Sequence, residues 1–236
     1  MLSPDGRAVM ISGASRGIGR AIAERLGADG YQLSLGARDP AALRELVDQV
    51  PKGRAMVFTY EARNPQIARD WVRATHECFG RIDAVVANAG IMRPFTVEDG
   101  GEADLDAMWE VNAKAPWRLI NAAFPYLKAS GTGRVITIAS MLGKRVKSAR
   151  TTGYPMSKFA AMALTHGVRH SGWKHGIRAT AICPGFVRTG MTVNTLDPAP
   201  DEMTQPESVA TLVATVLALP NTAALPDLSF NCVMEP

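Results

Sequence analysis

The chain is poor in cysteine, and nothing suggests that its cysteines pair. Cys78, Cys183 and Cys232 are odd in number and widely spaced, and no Cys-x-x-Cys occurs. This argues against a disulfide framework and for a reducing, cytoplasmic compartment. Long apolar runs are also missing. Nowhere do about eighteen apolar residues stand together, so no membrane-spanning helix is expected. Met1–Arg7 lacks the apolar stretch of a secretory signal. Nor does one sign of charge dominate: Lys and Arg number 26, Asp and Glu 22, for a net charge of +4. That balance suits an anionic small ligand and is too weak to argue for nucleic acid. His166 and His170 share a helix face at metal-binding spacing, but no third ligand is evident nearby, so no metal is expected.

What remains is material for a core. Of 236 residues, 47% are hydrophobic and 20% charged, which suits one domain over residues 1–236 and excludes a disordered chain. The apolar run from Arg7 to Ser12 reads as a buried strand. Gly13-Ala-Ser-Arg-Gly-Ile-Gly19 follows, then a helical pattern through Ile22, Ala23 and Leu26. Strand, glycine turn and helix are what a phosphate-binding loop requires: the glycines let backbone approach a pyrophosphate, and the helix start supplies N–H groups.

A second strand, Tyr31–Gly36, leads into Ala37-Arg38-Asp39. An acid here would bind a ribose 2′-hydroxyl, and a base would accommodate a 2′-phosphate. Arg38 and Arg16 together could clamp a phosphate dianion, which favours NADP(H) over NAD(H). Asp39 carries the competing reading, either facing the ribose or capping a helix at Ala41.

Strands and helices then alternate. Ala41–Val50 and Asn64–Phe79 read as helices, and Ala55–Tyr60, Asp83–Ala87, Val135–Ala139 and Arg178–Cys183 as strands. Leu105–Lys128 reads as one long helix, kinked or shortened by Pro116 and Pro125. Glu207–Leu219 is a last helix and Leu228–Val233 a last strand. This alternation means βαβ units and a parallel sheet. The acidic run Glu98–Glu102 reads as solvated surface.

Tyr154-Pro-Met-Ser-Lys158 carries the chemistry. At helical spacing the phenol and the ammonium share a face. Thr151 and Thr152 are placed to cap this helix, with Pro155 in its first turn. A lysine cation about 4 Å from a phenol, at an effective dielectric of about 20, favours the phenolate by roughly 4 kcal/mol, or about three pKa units. That would bring the phenol toward working pH, where general acid–base catalysis is most efficient. Just before it, Lys144, Arg145, Lys147 and Arg150 form a basic loop without an acid. It reads either as solvated surface or as recognition of an acidic substrate group.

Ser12-Gly13-x-x-x-Gly17-x-Gly19, Asn88-Ala89-Gly90, Asn112, Ser140, Tyr154-x-x-x-Lys158 and Pro184-Gly185 occur in this order at suitable intervals. In this set the chain resembles the short-chain dehydrogenase/reductase family along nearly its whole length. The resemblance implies an α/β fold: one Rossmann-like, doubly wound domain with a seven-stranded parallel sheet, ordered 3-2-1-4-5-6-7, and helices on both faces. It implies an NADP(H)-dependent oxidoreductase that interconverts a carbonyl and a secondary alcohol. Tyr154 would be the general acid/base, Ser140 would hold the carbonyl oxygen, Lys158 would bind ribose and lower the Tyr154 pKa, and Asn112 would anchor a water in a proton relay.

The resemblance also implies cofactor contacts. Gly13, Ser15, Arg16, Gly17, Ile18 and Gly19 would meet the pyrophosphate end, and Arg38 and Glu61 the adenosine end, Glu61 standing where an aspartate is usual. Asn88, Ala89 and Gly90 would flank the cofactor, and Pro184, Gly185, Val187 and Thr189 would lie at the nicotinamide end. Lys144, Arg145 and Phe186 are the candidate substrate contacts, and the substrate is a small carbonyl or alcohol, with an anionic group if the basic loop serves recognition. Family members are commonly dimers or tetramers, so a homo-oligomer built on the two long helices is expected. The alternatives are a cofactor-binding sensor or scaffold of the same fold without turnover, or a same-fold epimerase or dehydratase.

Overall fold

The computed structural model describes residues 1–234. In chain order it forms β1 (Ala8–Ser12), α1 (Gly17–Ala28), β2 (Gln32–Ala37), α2 (Arg44–Asp48), β3 (Ala55–Thr59), α3 (Ile67–Phe79), β4 (Ala84–Ala87), α4 (Glu102–Trp109), α5 (Ala115–Ala129), β5 (Arg134–Ile138), α6 (Gly153–Gly172), β6 (Arg178–Pro184), α7 (Pro206–Ala218) and β7 (Asp227–Phe230). The seven strands are all parallel, in the order β3-β2-β1-β4-β5-β6-β7. β1 sits between β2 and β4, with Val9 opposite both Leu33 and Ala84. Strand order reverses there, and the crevice beyond the carboxyl ends of β1 and β4 is where such sheets bind ligands.

The strands are mostly apolar because both sheet faces are covered, with Arg134, Thr137 and Thr180 among the buried polar exceptions. Alternation divides β1 between two cores: Val9 and Ile11 pack with Ile22, Leu26, Val209 and Val213, whereas Met10 packs with Trp71, Val85, Leu119 and Val135. Each large aliphatic side chain buried this way contributes about 1.5–3 kcal/mol. β2 follows the same rule, and its buried Ser34 is fully paired. Trp71 Nε1 donates to Ser34 Oγ (2.8 Å), Ser34 Oγ meets Thr75 Oγ1 (2.7 Å), and Thr75 Oγ1 donates to the Trp71 carbonyl (2.8 Å). The indole lies so close to β2 that a Cβ at Gly36 would stand 2.6 Å from its ring.

At the opposite end of the strands from the crevice, Asp83 is fully buried. Its carboxylate accepts the Ala8 N–H (2.9 Å) and two N–H groups of Arg81 (2.7 Å each), and Arg7 Nε lies 3.9 Å away. Burial lowers the pKa of Arg7, and Asp83 opposes that shift.

Several local expectations need correction. The stretch expected as one helix over Leu105–Lys128 is interrupted by a π-helical turn at Glu110–Lys114, whose i→i+5 bond runs from the Ala115 N–H to the Glu110 carbonyl. Pro116 opens α5, where its missing N–H costs nothing, and α5 runs through Pro125 to Ala129. The acidic run Glu98–Glu102 is exposed, as expected; within it Asp99 accepts from both Thr96 N and Thr96 Oγ1 at 2.6 Å, and Glu102 begins α4. Thr152 does not cap α6; its hydroxyl donates back to the Ala149 carbonyl at 3.0 Å.

Candidate active site

The end of β1 is sewn to the end of β4. Ser12 Oγ accepts the N–H groups of Asn88 (3.0 Å) and Ala89 (3.1 Å), and Asn88 Nδ2 donates to the carbonyls of Ser12 (2.9 Å) and Gly13 (3.1 Å). α1 starts against this seam. A Cβ at Gly19 would stand 2.2 Å from the Gly13 carbonyl oxygen and 2.4 Å from Asn88 Nδ2, so only glycine lets the helix approach. Arg16 precedes α1 in an extended conformation without a side-chain cap, and no acid occupies the first turn. The helix start therefore offers N–H groups and a positive dipole end to an anion.

A cleft of about 550 Å³ opens over this turn, within the usual range for ligand sites. Gly13, Ser15, Arg16, Gly17 and Ile18 line it, with Ala37, Arg38, Glu61 and Arg63 at one end. Asn88, Ala89 and Gly90 form its floor, and Ser140, Tyr154, Lys158, Pro184, Gly185, Val187 and Thr189 lie toward the other end. Gly19 and Asn112 support the cleft from behind and do not line it. Asp39 accepts the Ala41 N–H at 2.9 Å and so caps the turn at Pro40–Leu43. Glu61 lies 3.6 Å from Arg63.

At the catalytic end, Tyr154 and Lys158 project from the first turns of α6, both buried. Ser140 Oγ accepts the Leu142 N–H at 3.1 Å, which fixes the hydroxyl at the end of β5. Burial pushes the Tyr154 phenol up to about 12, and a hydrogen bond with Ser140 pulls it partly back. Lys158 Nζ lies 5.6 Å from the centre of the Tyr154 ring and donates to the Ile138 carbonyl at 2.8 Å. Burial pulls this ammonium down to about 8. The expected lowering of the phenol by the cation is therefore missing in the bare site. An amine near 8 is already neutral where a phenol near 12 ionises, so it lends no attraction there.

Asn112 occupies the π turn and is buried. It accepts the Ile91 N–H (2.9 Å), donates to the Ile91 carbonyl (2.8 Å), and donates to Ser157 Oγ (3.0 Å). Ser157 in turn donates to the Tyr154 carbonyl at 2.7 Å. This clamp ties the segment after Asn88-Ala89-Gly90 to the helix of Tyr154. The sequence reading missed Ser157; its only signal is its position three residues after Tyr154. Asn231 was missed as well. Its Oδ1 accepts the N–H groups of Phe186 (3.1 Å) and Cys232 (3.0 Å), which fastens the loop after β6 to the end of β7.

The three expected substrate contacts lie elsewhere. Lys144 is ion-paired to Asp227, and Lys144, Arg145 and Phe186 are outside the lining of the cleft. The basic loop is therefore turned in part toward β7. Among the described residues no three His, Cys, Asp or Glu side chains gather as a metal site, and no helix is long and apolar enough to cross a membrane.

The family model described as "short chain dehydrogenase" matches residues 7–199. The chain belongs to that family. Within this short chain dehydrogenase family it is 40% identical over 229 residues to an agropine synthesis reductase of Rhizobium rhizogenes, covering 96% of this chain and 53% of the relative. The chain thus spans about half the length of the curated relatives it matches first. It is also similar to an alcohol dehydrogenase from Thermococcus sibiricus complexed with 5-hydroxy-NADP, with TM-score 0.87, 29% identity and 98% coverage of both chains. A short chain dehydrogenase from Burkholderia cenocepacia J2315 in complex with NADP gives TM-score 0.87, 28% identity and 98% coverage of both chains. Relatives of this family carry names such as agropine synthesis reductase and (3R)-3-hydroxyacyl-CoA dehydrogenase. The open helix start, the glycine approach at Gly19 and the long cleft all fit a dinucleotide.

The Lys158 shift predicts a stability signature. Its folded pKa, about 8, lies below the ordinary 10.5. Between those values the unfolded chain binds the extra proton, so this group makes stability rise with pH from 8 to 10.5. Lys158→Met removes that slope. Urea denaturation of both proteins across this window should show the wild type gaining on the variant as pH rises; parallel curves would contradict the assignment.

Proposed function

We propose that this chain is an NADP(H)-dependent oxidoreductase interconverting a carbonyl and a secondary alcohol, with Tyr154 as general acid/base. One arrangement carries the reading. A buried phenol, hydrogen-bonded to Ser140 and standing over the Lys158 ammonium, borders a cleft whose other end presents Arg16 and Arg38. The bound dinucleotide supplies or accepts the hydride.

The chain's own groups do the rest. In the reductive direction the Tyr154 O–H donates to the carbonyl oxygen. Ser140, with its oxygen held by the Leu142 N–H, can turn its proton from the Tyr154 oxygen to that carbonyl oxygen. A phenol held above its ordinary pKa stays protonated at working pH, as an acid must. When it gives up its proton below about pH 8, Lys158, 5.6 Å from the ring centre, still carries its charge and attracts the phenolate. Asn112 and Ser157 keep the two sides of the cleft in register.

Preference for NADP(H) is supported by Arg16 and Arg38 in the cleft lining and by the uncharged Ala37. It is also supported by Asp39, whose carboxylate is engaged with the Ala41 N–H and so turned from a ribose. Replacing both arginines by Gln should cut the ratio of NADPH to NADH affinity by about 10–100-fold, the worth of charge-assisted bonds to a phosphate. Fluorescence titration with each dinucleotide checks this, and an unchanged ratio would refute it. The activity itself is tested by NADPH consumption across neutral ketones, keto acids and thioester-linked ketones, with product formed in proportion.

A further inference from the structure

One cation of the cleft has no role in this reading. The lining carries Arg16, Arg38, Arg63, Arg93 and Lys158 against a single acid, Glu61. The first two answer to a phosphate, Arg63 pairs with Glu61, and Lys158 is buried against the Ile138 carbonyl. Arg93 is left.

Its backbone is fixed on both sides. Two residues before it, Ile91 is held through both N–H and carbonyl by Asn112. Two residues after it, Phe95 forms a parallel bridge to Thr151, three positions before Tyr154. The Phe95 ring packs so tightly on the start of α6 that a Cβ at Gly153 would stand 2.3 Å from it. The Arg93 N–H points to Met108 Sδ at 3.4 Å. Arg93 is thus set into the catalytic end of the cleft by the clamp that positions Tyr154. Its side chain is 51% exposed, and Asp104 engages only Nη1. A guanidinium fork held at one corner and open to the cleft can still accept a planar carboxylate on its other edge.

We propose that Arg93 is the specificity-determining residue that holds a carboxylate carried by the carbonyl substrate, with Asp104 as its partner until substrate arrives. This rests on the carbonyl–alcohol reading of the site and narrows the substrate class to keto acids and their hydroxy acids. It moves anion recognition from Lys144 and Arg145, outside the cleft, to a residue that lines it.

The test uses matched probes, namely pyruvate, acetoacetate and 4-oxopentanoate against their methyl esters, with NADPH. For the best pair, Arg93→Gln should lower the acid-to-ester ratio of kcat/KM by about tenfold or more, while the ester rate stays within about twofold. Asp104→Asn frees the guanidinium and should shift the ratio the other way, through KM. A pair that only supports the fold would move both variants together, on acid and ester alike, and that result overturns the proposal. A second readout does not need turnover: calorimetric titration of each keto acid into the NADPH complex of Tyr154→Phe, with and without Arg93→Gln. Acid binding that survives Arg93→Gln, or no acid binding at all, also overturns it. Failure to reduce any carbonyl counts against the proposed function instead, and the titration still decides Arg93.

Discussion

Tyr154→Phe should lower kcat by about 10³-fold, within the range general acid–base catalysis contributes, while NADPH affinity stays within about threefold. The substitution removes one oxygen and leaves the ring. That ring is buried at the start of α6, so the packing that carries the helix remains. Ser140 keeps its hold on the Leu142 N–H and Lys158 its hold on the Ile138 carbonyl. Only the proton is lost, so the loss should fall on kcat and kcat/KM together rather than on KM. Single-turnover kinetics beside a dinucleotide titration separates the two. Turnover at the wild-type rate would remove the phenol from the mechanism.

Asp83→Ala should cost about 3–5 kcal/mol of stability, because it leaves the buried Arg7 guanidinium without its counter-charge. Arg7 and Arg81 both face this carboxylate, and the Ala8 N–H loses its acceptor as well. The expected fall in melting temperature is on the order of 10 °C for a chain of this size. A control sits on the surface. Arg20 pairs with Glu24 at 2.8 Å and Glu45 at 2.7 Å, yet Arg20→Ala should cost less than about 1 kcal/mol, since exposed pairs contribute little. Differential scanning calorimetry of both variants decides it; equal effects would mean that burial of Asp83 does not set its worth.

The sheet was readable because most strands are short apolar runs, several closed by a glycine, asparagine or proline signal, and the family motifs give their order. The glycine turn was readable for a similar reason: close backbone approach leaves glycine as its mark in the sequence. The basic loop was misleading. Four cations without a local acid look like a site, but Lys144 finds Asp227 across 83 residues, and no local pattern reports a partner that distant. Arg7, Arg81 and Asp83 illustrate the same limit, since burial converts an ordinary surface triad into a structural one. Ser157 hid because a serine on a helix beside a lysine looks like solvent-facing filler. The pKa pair at Tyr154 and Lys158 was legible in kind but not in direction. Spacing gave their proximity, and only burial shows that the amine itself is pulled down.

The π turn at Glu110–Lys114 has a consequence for how this chain tolerates change. An i→i+5 turn carries one more residue than an α turn, and here that surplus brings Asn112 against Ile91 and Ser157. Losing one residue between 110 and 114 would let the turn close to α geometry with α4 and α5 nearly in phase, but Asn112 would leave its place against Ile91 and Ser157. Side-chain swaps in this stretch are local events. A change of length unmakes the clamp, and the two walls of the cleft would lose their tie even with Ser140, Tyr154 and Lys158 intact.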